Sequence, residues 1–127
     1  MKLLLDTHAF LWSLTGEGLS QAAQTAFLDE ANELFLSAVS YWEICLKMSI
    51  GKLELAPNWV AVIAEEMRAN QIKWLPIAQV HCQTLIQLPF IHNDPFDRLL
   101  IAQVQCEEMT LLTSDKNIHA YSIQTLW

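Results

Sequence analysis

Four acidic side chains stand at points where apolar sequence ends. Asp6 follows Leu3-Leu4-Leu5, Glu43 follows Ser40-Tyr41-Trp42, Asp97 closes Asp94-Pro95-Phe96-Asp97, and Asp115 follows Leu111-Leu112-Thr113-Ser114. Each is expected at the rim of a core. Carboxylates gathered there repel one another, and their pKa values climb unless cations neutralise them. Hard divalent ions such as Mg²⁺ or Mn²⁺ prefer oxygen donors and are the natural counter-charge. Two such ions about 3.5–4 Å apart can activate water and stabilise the leaving oxygen of a phosphodiester. Helix capping explains the same positions. Acids favour helix N-termini, where they accept free N–H groups and meet the positive end of the dipole. Ser40-x-x-Glu43 has capping-box spacing, Asp94 before Pro95 has the form of an N-cap, and Asp115 can cap a short last helix. Spacing alone leaves both explanations open.

The elements that must hold these residues alternate between strand and helix. Leu3-Leu4-Leu5 is an unbroken apolar run, as in a strand buried on both faces of a parallel sheet. Further strands are expected at Leu34–Leu36, Ile72–Leu75 and Thr110–Thr113, with a weak last one around Tyr121–Ile123. Helices are expected over about Thr7–Leu14, from Ser20 with Ala23, Ala26, Phe27 and Ala31 inward, and from Ser40 to about Ile50. Glu43 then falls in a first helical turn. Another helix starts at Pro57, another covers about Ala78–Leu88, and one opening at Asp94-Pro95-Phe96-Asp97 is apolar on nearly every side and so belongs inside. This βαβα order predicts an α/β fold, a mostly parallel sheet of four to five strands with helices on both faces. In such sheets a ligand site lies beyond the carboxyl ends of the strands, where strand order reverses. Asp6 and Asp115 each follow a strand, and Glu43 and Asp97 each open a helix.

Composition bounds the class. The chain has 127 residues, 53% hydrophobic and 17% charged, with three Gly and four Pro. One domain spanning residues 1–127 is expected, and disorder and low complexity are excluded. Seven basic against fourteen acidic residues give a net charge of −7, which argues against a broad basic face gripping nucleic acid. A nucleic-acid enzyme with a local carboxylate cluster remains compatible with that balance. Cys45, Cys82 and Cys106 show no CxxC spacing and read as reduced, buried thiols. The first leucine run ends at Asp6, too short for the apolar region of about 7–15 residues in a signal peptide, and no run approaches the about 20 residues of a membrane span. No membrane association and a cytoplasmic location are expected.

Four segments carry a resemblance. They are Leu3-Leu4-Leu5-Asp6-Thr7-His8, Ser40-Tyr41-Trp42-Glu43-Ile44, His92 through Gln103, and Leu111-Leu112-Thr113-Ser114-Asp115, in that order. Together they resemble the PIN-domain nucleases, in particular the VapC-type toxins of bacterial toxin–antitoxin pairs, over essentially the whole chain. The resemblance implies a three-layer α/β/α sandwich, Mg²⁺ or Mn²⁺ dependence and endonuclease activity, usually on RNA. It places Asp6, Glu43 and Asp97 at the family's three core acids and Asp115 at its more variable fourth, as catalytic, metal-holding residues. It further implies a small antitoxin protein as partner and a homodimer.

Other residues carry less. Thr7 and Thr113 are candidates for ordering the site by hydrogen bonding, and Asp94 reads as a cap. His8, His81, His92 and His119 lack metal-ligand spacing and read as structural or surface residues. Lys47, Lys52 and Arg98 are candidates for phosphate contact. The five Trp residues read as mostly core, with Trp12 beside Phe10 and Leu11 offering surface for a dimer or partner. The competing function is an acidic-pocket phosphotransfer protein, either an Asp-nucleophile phosphatase or a receiver domain. The phosphatase pattern wants an Asp two residues after Asp6, where His8 stands. The receiver wants an Asp ending the third strand, where Leu75-Pro76 stands. A binding module whose acids only cap helices is the third class.

Overall fold

Leu3, Leu4 and Leu5 are completely buried, and three successive strand residues with no exposed side chain must be covered on both faces. In the computed structural model, which describes residues 1–127, they belong to β1 (Lys2–Leu5), the middle strand of a five-stranded sheet. The others are β2 (Glu33–Ser37), β3 (Lys73–Leu75), β4 (Thr110–Leu112) and β5 (Gln124–Leu126), in the order β3-β2-β1-β4-β5. Every pairing is parallel, with Leu4 opposite Phe35 on one side and Leu111 on the other. Seven helices connect the strands: α1 (Thr7–Thr15), α2 (Gln21–Leu28), α3 (Ala38–Ser49), α4 (Trp59–Ala69), α5 (Gln79–Gln87), α6 (Pro95–Glu107) and α7 (Lys116–His119).

The two-residue period of a strand sorts β1 between two cores. Leu3 and Leu5 face a cluster with Phe10 of α1, Ala23 and Phe27 of α2, and Ile63 of α4. Leu4 faces the opposite cluster, with Leu100, Ile101 and Val104 of α6 and Ile118 of α7. The result is the expected α/β/α sandwich. Helix α3 sends Ile44 into the first core and Val39 into the second. Helix α6 is buried at Arg98 and from Leu100 to Val104, as its all-round apolar sequence requires. Its one buried amide, Gln103, is matched rather than stranded: it accepts from the Ser37 hydroxyl at 2.6 Å and donates to the Pro76 carbonyl at 3.2 Å.

Five expectations are corrected. Helix α3 starts at Ala38 with Ser37 accepting the Val39 N–H, so Ser40 lies inside the helix and the Ser40–Glu43 capping box does not form. The last strand begins at Gln124 because Tyr121 turns into the second core and Ala120–Ile123 bend around it. No Trp is fully buried. Trp42 and Trp74 are largely exposed, and the indoles lie over the helices as lids, Trp12 on Trp127 and Trp59 and Trp74 on Tyr41. The cysteines are free, as expected, but Cys82 is exposed and Cys45 and Cys106 are half-buried. Helix α4 begins at Trp59, two residues beyond Pro57. No helix is long and apolar enough to cross a membrane.

The double-sided burial of β1 makes a direct prediction. Leu4→Ala is expected to lower unfolding stability by about 2–5 kcal/mol, the range for a fully buried leucine. Ile86→Ala, at a side chain left 79% exposed, is expected to stay within about 0.5 kcal/mol of the parent. Urea denaturation of the two variants side by side checks both.

Candidate functional site

Strand order reverses between β1 and β4: from β1 the chain builds outward to β2 and β3, and from β4 to β5 on the other side. The crevice at the carboxyl ends of this pair is where an open parallel sheet binds ligands. Asp6 is the first residue past β1, and its N–H donates to the Leu112 carbonyl at 3.1 Å, closing the end of the β1–β4 pair. Asp115 follows β4 after Thr113 and Ser114. Asp97 lies in the first turn of α6, while Glu43 lies in the second turn of α3 rather than the first, because that helix begins at Ala38.

Each carboxylate has its own support. Asp6 is buried and caps α1, its Oδ1 accepting the Ala9 N–H at 2.7 Å. Burial pushes the Asp6 carboxyl above its ordinary value. The Thr113 hydroxyl, the Ala9 N–H and the His8 charge oppose that rise, and the Asp115 charge adds to it. Glu43, also buried, accepts the Thr7 hydroxyl on Oε1 at 2.7 Å and pairs through Oε2 with Lys47 one turn along α3. The Thr7 oxygen lies 3.0 Å from the Ser40 hydroxyl, so residues from α1 and α3 meet at Glu43. Asp115 caps α7 through Asn117 N–H at 2.9 Å, and its own N–H donates to Thr113 Oγ1 at 3.1 Å. Asp94 caps α6, accepting the N–H groups of Phe96 and Asp97 at 2.9 and 3.1 Å.

Asp97 shows that these charges act on one another. Its carboxyl is pushed up to about 7, first by burial and then by the neighbouring Asp94. The contact with His92 holds it down, while Asp115 and Glu43 raise it further. Asp97 thus sits in the field of Asp94 on its own segment and of acids from two other segments, and Asp115 extends that field to Asp6. The structure therefore brings all four acids to one end of the sheet. Their oxygens do not converge: no three His, Cys, Asp or Glu side chains are close enough to hold one metal ion. The carboxylates are turned onto protein donors instead, Glu43 onto Thr7 and Lys47, Asp6 and Asp115 onto helix N-termini. In kind and charge the set suits a hard divalent cation, since every donor is a carboxylate oxygen and the charge on Asp97 lacks a full counter-ion.

Of the basic candidates, Lys47 is at the site, on Glu43, and Lys52 is exposed with no ion pair to the four acids. Arg98 is buried, with its guanidinium on the Pro89 carbonyl and the Tyr121 hydroxyl, so it is not placed to meet phosphate. His92 is the site residue that sequence reasoning passed over. Its Nε2 lies 3.3 Å from Asp97 Oδ2. No helical spacing announces that contact, because His92 stands in the loop before Asp94. Phe10 is completely buried, while Trp12 packs on Trp127 and stays half-exposed beside Leu11.

Comparison with known proteins agrees with this fold. A family model described as PIN domain matches residues 3–123. Ribonuclease VapC22 of Mycobacterium tuberculosis is 30% identical over 124 residues, spanning 94% of this chain and 91% of that protein. Among solved structures, VapBC2 from Rickettsia felis bound to a DNA fragment from their promoter matches with a TM-score of 0.77 at 12% identity, over 98% of this chain and 97% of that one. DNA-bound VapBC from Salmonella typhimurium matches at 0.72 and 14%, over 98% and 96%. FitAcB from Neisseria gonorrhoeae matches at 0.61 and 20%, over 97% and 95%. At these identities the three structures show a common fold.

The raised Asp97 carboxyl has a signed consequence. The folded chain keeps a proton there up to about pH 7, whereas the unfolded chain releases it near 3.8. More protons are bound folded than unfolded across that window, so this group's contribution to stability falls as pH rises through it. Asp6, shifted the same way, adds to the slope. In chelator-treated protein, Asp97→Asn is expected to raise the melting temperature over the parent more at pH 8 than at pH 5. Thermal melts at the two pH values read the difference directly.

Proposed function

This chain belongs to the PIN-domain family, and on that footing we propose that it is a single-domain, Mg²⁺- or Mn²⁺-dependent endoribonuclease, the toxin of a toxin–antitoxin pair. The observation that carries this is the gathering of four carboxylates at the switch point, where burial first, then Asp94, with Asp115 and Glu43 adding, pushes the Asp97 carboxyl up to about 7. A relative 30% identical along nearly its whole length is named a ribonuclease, which supports RNA as the substrate. Asp6, Glu43, Asp97 and Asp115 are the residues that would hold the cation. A divalent ion bound to them supplies Lewis acidity and counter-charge for phosphodiester hydrolysis.

The chain's own groups set the conditions for this. Thr7 orients Glu43, and the Thr113 hydroxyl steadies Asp6 while taking the Asp115 N–H. Lys47 neutralises Glu43 as the site stands, and it is the local cation at which a phosphate oxygen can compete. With a net charge of −7 and no broad basic face, RNA binding is expected to be weak and metal-dependent. Asp6, sunk at the helix cap and with His8 two residues on, is poorly suited to a phosphatase nucleophile.

The solved relatives of the same fold include VapB–VapC assemblies, which supports a small antitoxin as partner. Helix α3 and its C-cap expose Trp42, Leu46 and Ile50 one turn apart, apolar surface of the kind that protein contacts, including a homodimer's, cover. A cytoplasmic location goes with this function.

Two experiments test the proposal. Purified chain freed of any bound inhibitor is expected to cleave RNA with Mn²⁺ and not with chelator. Asp97→Asn is expected to lose at least about a hundredfold in rate, several kcal/mol of charge stabilisation, while its circular dichroism stays that of the parent. Parent protein that cuts no RNA with Mn²⁺ sinks the nuclease function. Separately, co-expression with a small reading frame immediately upstream is expected to yield a complex that suppresses cleavage. Purification of the toxin alone from such cells counts against the pairing.

A further inference from the structure

Arg98, Tyr121 and His92 form a chain of hydrogen bonds that ends on Asp97. Arg98 and Tyr121 are both buried. The Arg98 Nη1 donates to the Pro89 carbonyl at 2.9 Å and to the Tyr121 hydroxyl at 3.0 Å, and the Phe90 ring lies 4.5 Å from the guanidinium carbon. Both hydrogen-bond partners are uncharged. A buried guanidinium without a carboxylate is an expensive arrangement if all it does is fill space. The Tyr121 oxygen also faces the His92 backbone N–H at 3.3 Å and the His92 Nδ1 at 2.9 Å. On the far side of the ring, His92 Nε2 meets Asp97 Oδ2 at 3.3 Å.

Donor counting fixes the direction of every link. A guanidinium and a backbone amide can only donate, and a phenol oxygen has two lone pairs and one proton. Arg98 and the His92 amide fill both lone pairs, so the Tyr121 proton goes to His92 Nδ1. That nitrogen must accept, which places the ring proton on Nε2, where it donates to Asp97 Oδ2. Asp97 Oδ1 has no protein donor in the structure. As Asp94 repels Asp97 from the N-cap of the same turn, the carboxylate needs a donor to hold its orientation, and His92 is the side chain that provides one.

We propose that His92 is a positioning residue for the cation site. Arg98 and Tyr121 hold it as the Nε2–H tautomer, and it fixes Oδ2 of Asp97 so that Oδ1 is presented to the ion. This rests on the assignment of Asp97 as a cation ligand made above. Partners that orient a ligating group typically account for about 10–100-fold in metal affinity.

The test has a readout that needs no metal. Long-range ¹H–¹⁵N spectra of the metal-free chain are expected to show His92 as the Nε2–H tautomer, and Tyr121→Phe is expected to mix the tautomers. Mn²⁺ titration by calorimetry then compares the parent with His92→Leu, His92→Gln and Asp97→Asn, each checked by thermal melting. His92→Leu is expected to bind Mn²⁺ about 10–100-fold more weakly. His92→Gln, whose amide N–H reaches the place of Nε2, is expected to recover most of that loss. An Nδ1–H tautomer in the parent overturns the proposal. So does a His92→Leu variant with parental affinity, or a Gln variant no better than Leu. If His92→Leu does not fold, the parent tautomer and the Gln variant decide. If the parent and Asp97→Asn bind Mn²⁺ equally poorly, the metal assignment fails instead, and the spectra alone judge the chain from Arg98 to His92.

Discussion

Like charges held at the edge of a dry core are the constraint on which the rest of this structure depends. Asp6, Glu43, Asp97 and Asp115 come from four segments far apart in sequence, and repulsion would disperse them if their supports were soft. The supports are stiff. Two carboxylates leave the ends of adjacent parallel strands, β1 and β4, joined by the Asp6–Leu112 hydrogen bond. The other two ride on α3 and α6, which pack on that sheet and on each other with Val39, Leu100 and Ile101 in one core. Apolar burial on both faces of β1 thus supplies the free energy that holds the charges in place. The raised carboxyl at Asp97 is the visible cost, as expected where a chain gives up stability for a site.

Capping and the proposed chemistry share the same carboxylates. Asp6 caps α1 through a single oxygen, Asp115 caps α7 the same way, and Asp94 caps α6 immediately before Asp97. A carboxylate has two oxygens, so an N-cap bond fixes the group's orientation and leaves the other oxygen available. The helix N-termini also contribute partial positive charge at the crevice, which offsets part of the repulsion. Glu43, with no cap to hold it, relies on Thr7 and Lys47.

Much of this was legible in the residues. The leucine runs that became β1, β2 and β4 could be read as strands because burial on both faces leaves no polar residue in the run, and the strand-end positions of Asp6 and Asp115 followed. The N-cap at Asp94 was equally clear from Pro95 behind it. Less legible was whatever depended on loop shape. The start of α3 differs because Ser37 and Ser40 both have cap chemistry: the Ser37 oxygen accepts the Val39 N–H while its proton goes to Gln103, and Ser40 meets Thr7 from inside the helix. The Trp residues were misjudged because indoles serve as lids between helices as readily as core. The link from Arg98 through Tyr121 and His92 was beyond reach, since it joins the loop before α6 to the bend before β5, and no periodicity relates the two.

The register of β1 also governs the order in which a growing chain can assemble. Leu4 pairs with Phe35, which is synthesised soon after it, but its other neighbour is Leu111, and the helix covering that face, α6, precedes Leu111 only narrowly. Until those late segments emerge, the central strand has an open edge and an uncovered face, a situation that invites chaperones or misassociation. Asp97 and Asp115 arrive with the same segments. A nascent chain that has not yet reached α6 therefore carries Asp6 and Glu43 without Asp97 and Asp115, and the four carboxylates come to one end of the sheet only once β4 has paired with β1.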